Sequence, residues 1–252
     1  MKFTNAFITG ASSGIGYHIA RGFASRGTRV VLAARREPLL QTLAELIRSE
    51  GGKAEVCVLD VTDAGRVQEA IRTWDEQTGG LDLVVANAGM GVIKAAHKLS
   101  WERDIEQVLK VNVMGAFATL HAGIQAMVPR GKGTLVGISS LAAMRGLPKS
   151  GAYAASKAAL ATFLETLRLD LKRKGITVVD VRPGFVDTDM TRPNKVWMPQ
   201  LMRVEEAARI MVRGIERGEA IVSCPRALSA AMSLTESMPD ALYRALASRV
   251  KF

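Results

Sequence analysis

The sequence predicts a doubly wound α/β fold, one seven-stranded parallel sheet with helices on both faces. Three observations carry this expectation. Short apolar runs alternate with stretches of helical periodicity from end to end, the pattern of a parallel sheet. Apolar residues make up 48% and aromatics only 5%, so Ala, Val, Leu and Ile supply the bulk; such side chains suit buried parallel strands. The first strand also runs directly into a glycine-rich turn and a helix. The 252 residues suffice for one large core. No repeat, low-complexity segment or linker divides them, so 1–252 is expected to be one domain.

Residues 3–9 form the expected first strand. Gly10, Ala11, Ser12, Ser13, Gly14, Ile15 and Gly16 follow, in GxxxGxG rather than GxGxxG spacing. Glycines there let a backbone approach a pyrophosphate, and the next helix offers free N–H groups and its positive end. That helix keeps Ile15, Ile19, Ala20 and Phe23 inside and ends near Gly27. The second strand, 29–34, closes on Arg35 and Arg36. A helix over 37–49 carries Leu39, Leu43, Leu46 and Ile47 on one face and stops at Gly51 and Gly52. Strand 54–59 ends at Asp60, and Thr62 is the expected cap of a helix over 63–77. Strand 81–86 ends in Asn87, Ala88 and Gly89.

A long helix over 101–127 comes next, capped by Ser100, with Asn112 in its middle. Asparagine is unfavourable there by propensity. Strand 132–139 has Ser140 just past its end, and helix 151–174 carries Tyr153 and Lys157. At i and i+4 these two share a helix face. A cation beside a phenol favours the phenolate and lowers its pKa from about 10. Such a tyrosine can exchange a proton near neutral pH. Small residues around the pair, Gly151 to Ala159, leave room for a ligand. Strand 177–182 is broken by Pro183 and Gly184, and 185–203 is expected to be an irregular substrate loop. Helix 203–217, strand 220–224 and an amphipathic tail over 226–252 complete the chain. In the tail Ser237 is expected to begin a helix, with Asp240 in its first turn and Leu242, Leu246 and Val250 on one face.

The net charge is +10, and residues 127–252 hold most of the excess, 20 basic against 11 acidic. No basic block exceeds Lys172, Arg173 and Lys174, so a solvated face and an anionic cofactor account for it, not nucleic acid. Few aromatics point the same way. Cys57 and Cys224 each fall in an apolar strand, and His18, His97 and His121 form no ligand spacing. No metal and no disulfide is therefore expected, and a cytoplasmic location is. The first nine residues lack a signal-peptide layout, and no apolar run reaches the ~18 residues of a membrane span.

Taken in order, TGASSGIG at 9–16, Asp60-Val61, NAG at 87–89, Asn112, Ser140, YAASK at 153–157 and Pro183-Gly184 with Thr188 form one pattern. The chain resembles the short-chain dehydrogenase/reductase family over nearly its whole length, least after residue 185. The resemblance implies a Rossmann-type fold and hydride transfer between a nicotinamide and a carbonyl/alcohol pair. Gly10, Gly14 and Gly16 would carry the pyrophosphate. Ser12, Ser13 and Ile15 of the same loop would also contact the cofactor, the two serines as hydroxyl donors beside Arg35 and Arg36, and Asp60 and Val61 would face the adenine. Asn87, Ala88 and Gly89 would line the cofactor, with Asn87 also a candidate for tying its strand to a neighbour. Pro183, Gly184, Val186 and Thr188 would close over the nicotinamide. Tyr153 would be the general acid/base, and Ser140, chosen over Ser139 by its thirteen-residue interval to Tyr153, would bind the substrate oxygen. Lys157 would bind the ribose and depress the Tyr153 pKa. Asn112 would hold a helix distortion and complete a proton relay.

An NAD enzyme places Asp or Glu at the end of the second strand, where it accepts from the ribose 2′-hydroxyl. Here Arg35 and Arg36 stand there, with no acid before Glu37. Guanidinium forks suit a 2′-phosphate, so NADP(H) is expected, with NAD(H) the alternative. Some members of the family carry a basic residue where this chain has Ser13. Met90, Met144, Leu147, Val186, Val196, Trp197 and Met198 suggest an apolar, adaptable substrate site. The rival function is a non-catalytic dinucleotide sensor or scaffold on the same fold. The partners expected are a small carbonyl or alcohol substrate and a second copy of the chain, as homodimer or homotetramer through helices 101–127 and 151–174. The tail is expected to dock on its own domain or a partner subunit. Its alternative is an anionic membrane surface, helped by Arg244, Arg249 and Lys251.

Overall fold

The computed structural model describes residues 1–192 and 197–247. Val196, Arg249, Val250 and Lys251 lie outside the described residues. The chain alternates strictly at first: β1 (Asn5–Thr9), α1 (Gly14–Ala24), β2 (Arg29–Ala34), α2 (Glu37–Ser49), β3 (Lys53–Val58), α3 (Ala64–Thr78), β4 (Leu83–Ala86). A long helix, α4 (Trp101–Arg130), leads to β5 (Gly133–Ile138), α5 (Gly151–Leu171) and β6 (Ile176–Pro183). Two short strands, β7 (Val186–Asp187) and β8 (Met202–Arg203), precede α6 (Val204–Arg217) and β9 (Ile221–Cys224). Helices α7 (Arg226–Glu236) and α8 (Asp240–Ala247) follow.

Seven strands form one sheet in the order β3-β2-β1-β4-β5-β6-β9, every neighbouring pair parallel. The order reverses between β1 and β4. In such sheets ligands bind at this switch point, beyond the carboxyl ends of the strands. Here those ends deliver Gly10 and Asn87 side by side.

Alternate strand residues point to opposite faces, and each face has its own core. On one, Ile19 and Phe23 of α1, Leu40 and Leu43 of α2, and Met211 and Ile215 of α6 pack on Ile8, Val85 and Val179. On the other, Val67 and Ile71 of α3, Leu120 of α4, and Leu160 and Leu164 of α5 pack on Phe7, Val84 and Val178. Asp180 falls on this second face, two residues after Val178, and is buried.

Four expectations change. Asp63, not Thr62, caps α3: its carboxylate accepts from Arg66 N–H at 3.0 Å. Thr62 is drawn away because its own N–H and hydroxyl both donate to Asp60. Ser237 closes α7 instead of opening the last helix, which starts at Asp240 after Pro239. The 185–203 loop is anchored at its base, where Val186 pairs with Met202 and Asp187 with Arg203. Finally, α4 is by length and composition apolar enough to cross a membrane, because Ala, Val, Leu and Met dilute its charges. Half of its most apolar window is buried inside the protein.

Candidate active site

The glycine turn is held open by close contacts. Gly10 and Gly14 have φ of +68° and +57°, a region that side chains resist. A Cβ on Gly16 would stand 2.3 Å from Asn87 Nδ2 and 2.4 Å from the Gly10 carbonyl oxygen. Gly16 thus lets the turn fold back on β4, and it alone of the expected cofactor residues does not line the cleft. Asn87 serves the same closure: its Nδ2 donates to the carbonyls of Thr9 (2.9 Å) and Gly10 (3.2 Å). It therefore ties β4 to the turn, and it faces the cleft as well.

That cleft encloses about 510 Å³. Gly10, Ser12, Ser13, Gly14, Ile15, Arg35, Arg36, Asp60, Val61, Ala88, Gly89, Tyr153, Lys157, Pro183, Gly184, Val186 and Thr188 all line it. At one end Arg36 arches over the turn, its Nη2 donating to Ser12 Oγ at 2.9 Å and Ser13 Oγ at 2.7 Å. Arg35 turns toward Asp60, 3.7 Å away. Burial pushes the Asp60 carboxyl up, but the hydrogen bonds from Thr62 and the neighbouring Arg35 together outweigh it and hold the group below the usual carboxylate range. We attribute the net lowering to its hydrogen bonds, since two donors from Thr62 reach one carboxylate.

At the other end stand Tyr153, partly buried, and Lys157, buried, both of α5. Burial pushes the Tyr153 phenol up from its ordinary value, and Ser140 works in the opposite direction. The expected lowering by Lys157 is not what the geometry provides. The lysine ammonium donates to the carbonyl of Ile138 at 2.7 Å instead. Burial brings Lys157 down to about 8, and the charge of Asp180 opposes that fall. Asp180 accepts from Arg182 Nε at 2.6 Å and from the Ser139 hydroxyl. The Ser139 hydroxyl is thereby tied to Asp180, although the residue borders the dinucleotide cleft. Ser140 Oγ accepts from Ala142 N–H at 3.0 Å, and Ser140 lines the pocket beside Tyr153.

Asn112 sits in a π-helical stretch of α4, Lys110–Gly115. The widened turn is the expected distortion. Its side chain clamps both polar atoms of Met90, accepting from N–H at 2.8 Å and donating to C=O at 2.9 Å. It also donates to Ser156 Oγ at 3.0 Å. A Cβ on Gly89 would lie 3.4 Å from Asn112 Oδ1 and 3.5 Å from Lys157 Nζ. A Cβ at Gly89 would thus lie at ordinary contact distance from both groups.

A second cavity, of about 390 Å³, opens on the other side of Tyr153. Val92, Ile93, Leu141, Leu147, Phe185 and Trp197 line it, with residues of α7 and α8. Tyr153, Gly184, Met190 and Thr191 border both cavities. Of the expected apolar site residues, Leu147 and Trp197 are here, Met90 and Val186 line the cofactor cleft, and Met144 and Met198 line neither.

Residues 4–199 match the family model described as short chain dehydrogenase. An uncharacterized oxidoreductase of Myxococcus xanthus is 45% identical over 251 residues, covering 100% of this chain and 99% of that protein. The chain belongs to the short-chain dehydrogenase/reductase family. A short-chain dehydrogenase from Sphingobium yanoikuyae, solved in complex with NADPH, superposes with a TM-score of 0.83 at 28% identity, over 98% of this chain and 96% of that one. A 7α-hydroxysteroid dehydrogenase complexed with NADH and 7-oxo glycochenodeoxycholic acid gives 0.80 at 26%, over 87% and 92%. The present short-chain dehydrogenase/reductase is thus an oxidoreductase of a family that uses NAD(P).

The cleft fits such a dinucleotide. Gly10 and Gly14 open the turn at the start of α1, and Arg36 with two serine hydroxyls offers donors to phosphate oxygens. Three cleft features escaped the sequence reading. Gln107 and Val111 reach the cleft from α4 at i and i+4. Thr191 Oγ1 donates to the Val186 carbonyl at 2.6 Å and accepts from Thr188 N–H at 3.0 Å, folding the segment over the turn. Its only signal was the threonine three places after Thr188. The Ser139–Asp180–Arg182 cluster left no signal, since a lone Asp in a strand reads as an edge.

Proposed function

We propose that this short-chain dehydrogenase/reductase carries out NADP(H)-dependent, reversible hydride transfer between the nicotinamide and an apolar carbonyl/secondary-alcohol pair. One observation carries the proposal: Tyr153 forms the partition between a polar cleft shaped for a dinucleotide and an apolar cavity shaped for something else. A reacting carbonyl at that partition meets the cofactor on one side and a proton donor on the other.

A bound nicotinamide supplies the hydride in reduction and takes it in oxidation. In reduction Tyr153 gives its Oη proton to the substrate oxygen while Ser140 Oγ hydrogen-bonds the same oxygen. Donors already aimed where negative charge develops act on the transition state more than on the ground state. The raised pKa of this phenol keeps it in the donating form at neutral pH. Lys157 would hold the ribose hydroxyls, and Arg35 and Arg36 the 2′-phosphate. Asn112, clamped between Met90 and Ser156, keeps α4 and α5 in register beside Lys157. Two free cysteines are consistent with a cytoplasmic location. Exposed Trp101 and Met114 of α4 and Leu169 of α5 support a homo-oligomer across these helices, which sedimentation at micromolar concentration tests.

The deciding experiment is a turnover screen of carbonyl compounds with NADPH and NADH, following nicotinamide absorbance. Turnover with NADPH preferred supports the assignment. Tight NADPH binding with no turnover of any carbonyl would favour a dinucleotide sensor.

A further inference from the structure

The apolar cavity falls in the size range of sites that enclose whole small molecules. Among the described residues that line it, none carries a formal charge; its polar side-chain groups are hydroxyls, such as those of Ser140, Tyr153 and Thr235, and the Trp197 indole N–H. The part of the wall not shared with the cofactor cleft includes Leu228 and Met232 of α7 and Tyr243 and Leu246 of α8. The second of these helices, α8, is latched down. Arg145 lies 4.6 Å over the Tyr243 ring and 3.4 Å from Asp240 Oδ1, and the Tyr243 hydroxyl donates to the Gly146 carbonyl. The guanidinium is thus spent outside the cavity, where it fastens the wall and does not line the interior.

We infer that the substrate is an uncharged carbonyl compound, or its secondary alcohol, with an extended hydrocarbon body, and that the C-terminal helices set how long that body can be. The inference rests on the carbonyl/alcohol assignment above and adds the substrate's class. A charge buried in this cavity would find no partner among the described lining residues, which is costly. Each buried methylene instead gains about 0.8 kcal/mol, roughly fourfold in affinity. The hydroxyls of Ser140 and Tyr153 at one side supply the only pairing that a single oxygen needs.

The test uses the full chain with 2-alkanones of increasing length, and with the same chains ending in a carboxylate. The expected kcat/KM rises about fourfold per methylene until the cavity is full, and falls about a hundredfold or more for the anionic series. Turnover of anionic chains as good as or better than neutral ones overturns the substrate class. Tyr243→Ala should move the length optimum to longer chains and Leu246→Trp to shorter ones; an optimum unmoved in both overturns the role of the tail. Calorimetric binding of 2-alkanols to Tyr153→Phe gives the same ranking without chemistry. Ranked binding with no turnover of any ketone by the native protein would sink the carbonyl assignment and leave the cavity's preference standing. Ketone turnover with no dependence on length would do the reverse.

Discussion

The Lys157 ammonium lies 5.8 Å from the centroid of the Tyr153 ring and donates to the Ile138 carbonyl at 2.7 Å. The lysine is held by the sheet. Burial lowers it to about 8, against about 10.4 in an unfolded chain. Between those values the unfolded state binds more protons, so this group makes stability rise with pH. Lys157→Met should remove a rise of roughly 3 kcal/mol between about pH 8 and 10.4. Urea denaturation of both proteins across that window checks it; parallel pH profiles would show that Lys157 is not depressed.

Asp180 is 1% exposed and bonds Arg182, itself mostly buried. Removing one partner of such a pair strands the other. Asp180→Asn should cost about 3–5 kcal/mol. Asp180→Asn combined with Arg182→Met should recover much of that loss. Denaturant midpoints read both; a single variant of native stability would contradict the pairing.

Arg36 is better placed than Arg35 to select the cofactor, because the two serines of the turn orient it. Arg35 is largely exposed and leans on Asp60. A charge-assisted contact is worth roughly 1.5–3 kcal/mol. Arg36→Ala should weaken NADPH binding about tenfold to a hundredfold, Arg35→Ala less, and neither should alter NADH binding. Fluorescence titration with both dinucleotides decides; equal losses for NADH would remove the 2′-phosphate from the account.

Gly16→Ala should be among the most damaging small changes. Its Cβ would meet backbone at 2.4 Å and the Asn87 amide at 2.3 Å, and overpacking of this kind costs about 1–3 kcal/mol or more. Cofactor affinity should fall with it, because the turn must shift. Gly151→Ala, where a Cβ meets open space, should stay within about 0.5 kcal/mol. Thermal unfolding and cofactor titration of both variants separate the two cases.

The sheet was legible because its strands are apolar runs with hard stops: Gly10, Arg35, Asp60, Asn87, Ser140 and Pro183 each stand within a residue or two of a strand's carboxyl end. Those stops are also the site, so most cleft residues could be named once their motifs showed the family resemblance. What stayed hidden depends on direction and neighbours. Asp63 displaced Thr62 as a cap because Asp60 captures the threonine. Tyr153 and Lys157 share a face, but the Ile138 carbonyl, contributed by another element, decides where the ammonium goes. The latch of Arg145 on Tyr243 joins positions almost a hundred residues apart, beyond any local pattern.

The central claim is that Tyr153 supplies the proton at the boundary of two cavities. Tyr153→Phe keeps the ring that separates them and removes only the hydroxyl. Steady-state turnover and NADPH dissociation constant should be measured on the same preparation of this variant and the native protein. Turnover should fall by about a thousandfold or more, within the range a positioned acid/base contributes together with oxyanion stabilisation, and the NADPH dissociation constant should stay within about threefold of native. A variant that turns over at near-native rate would contradict it.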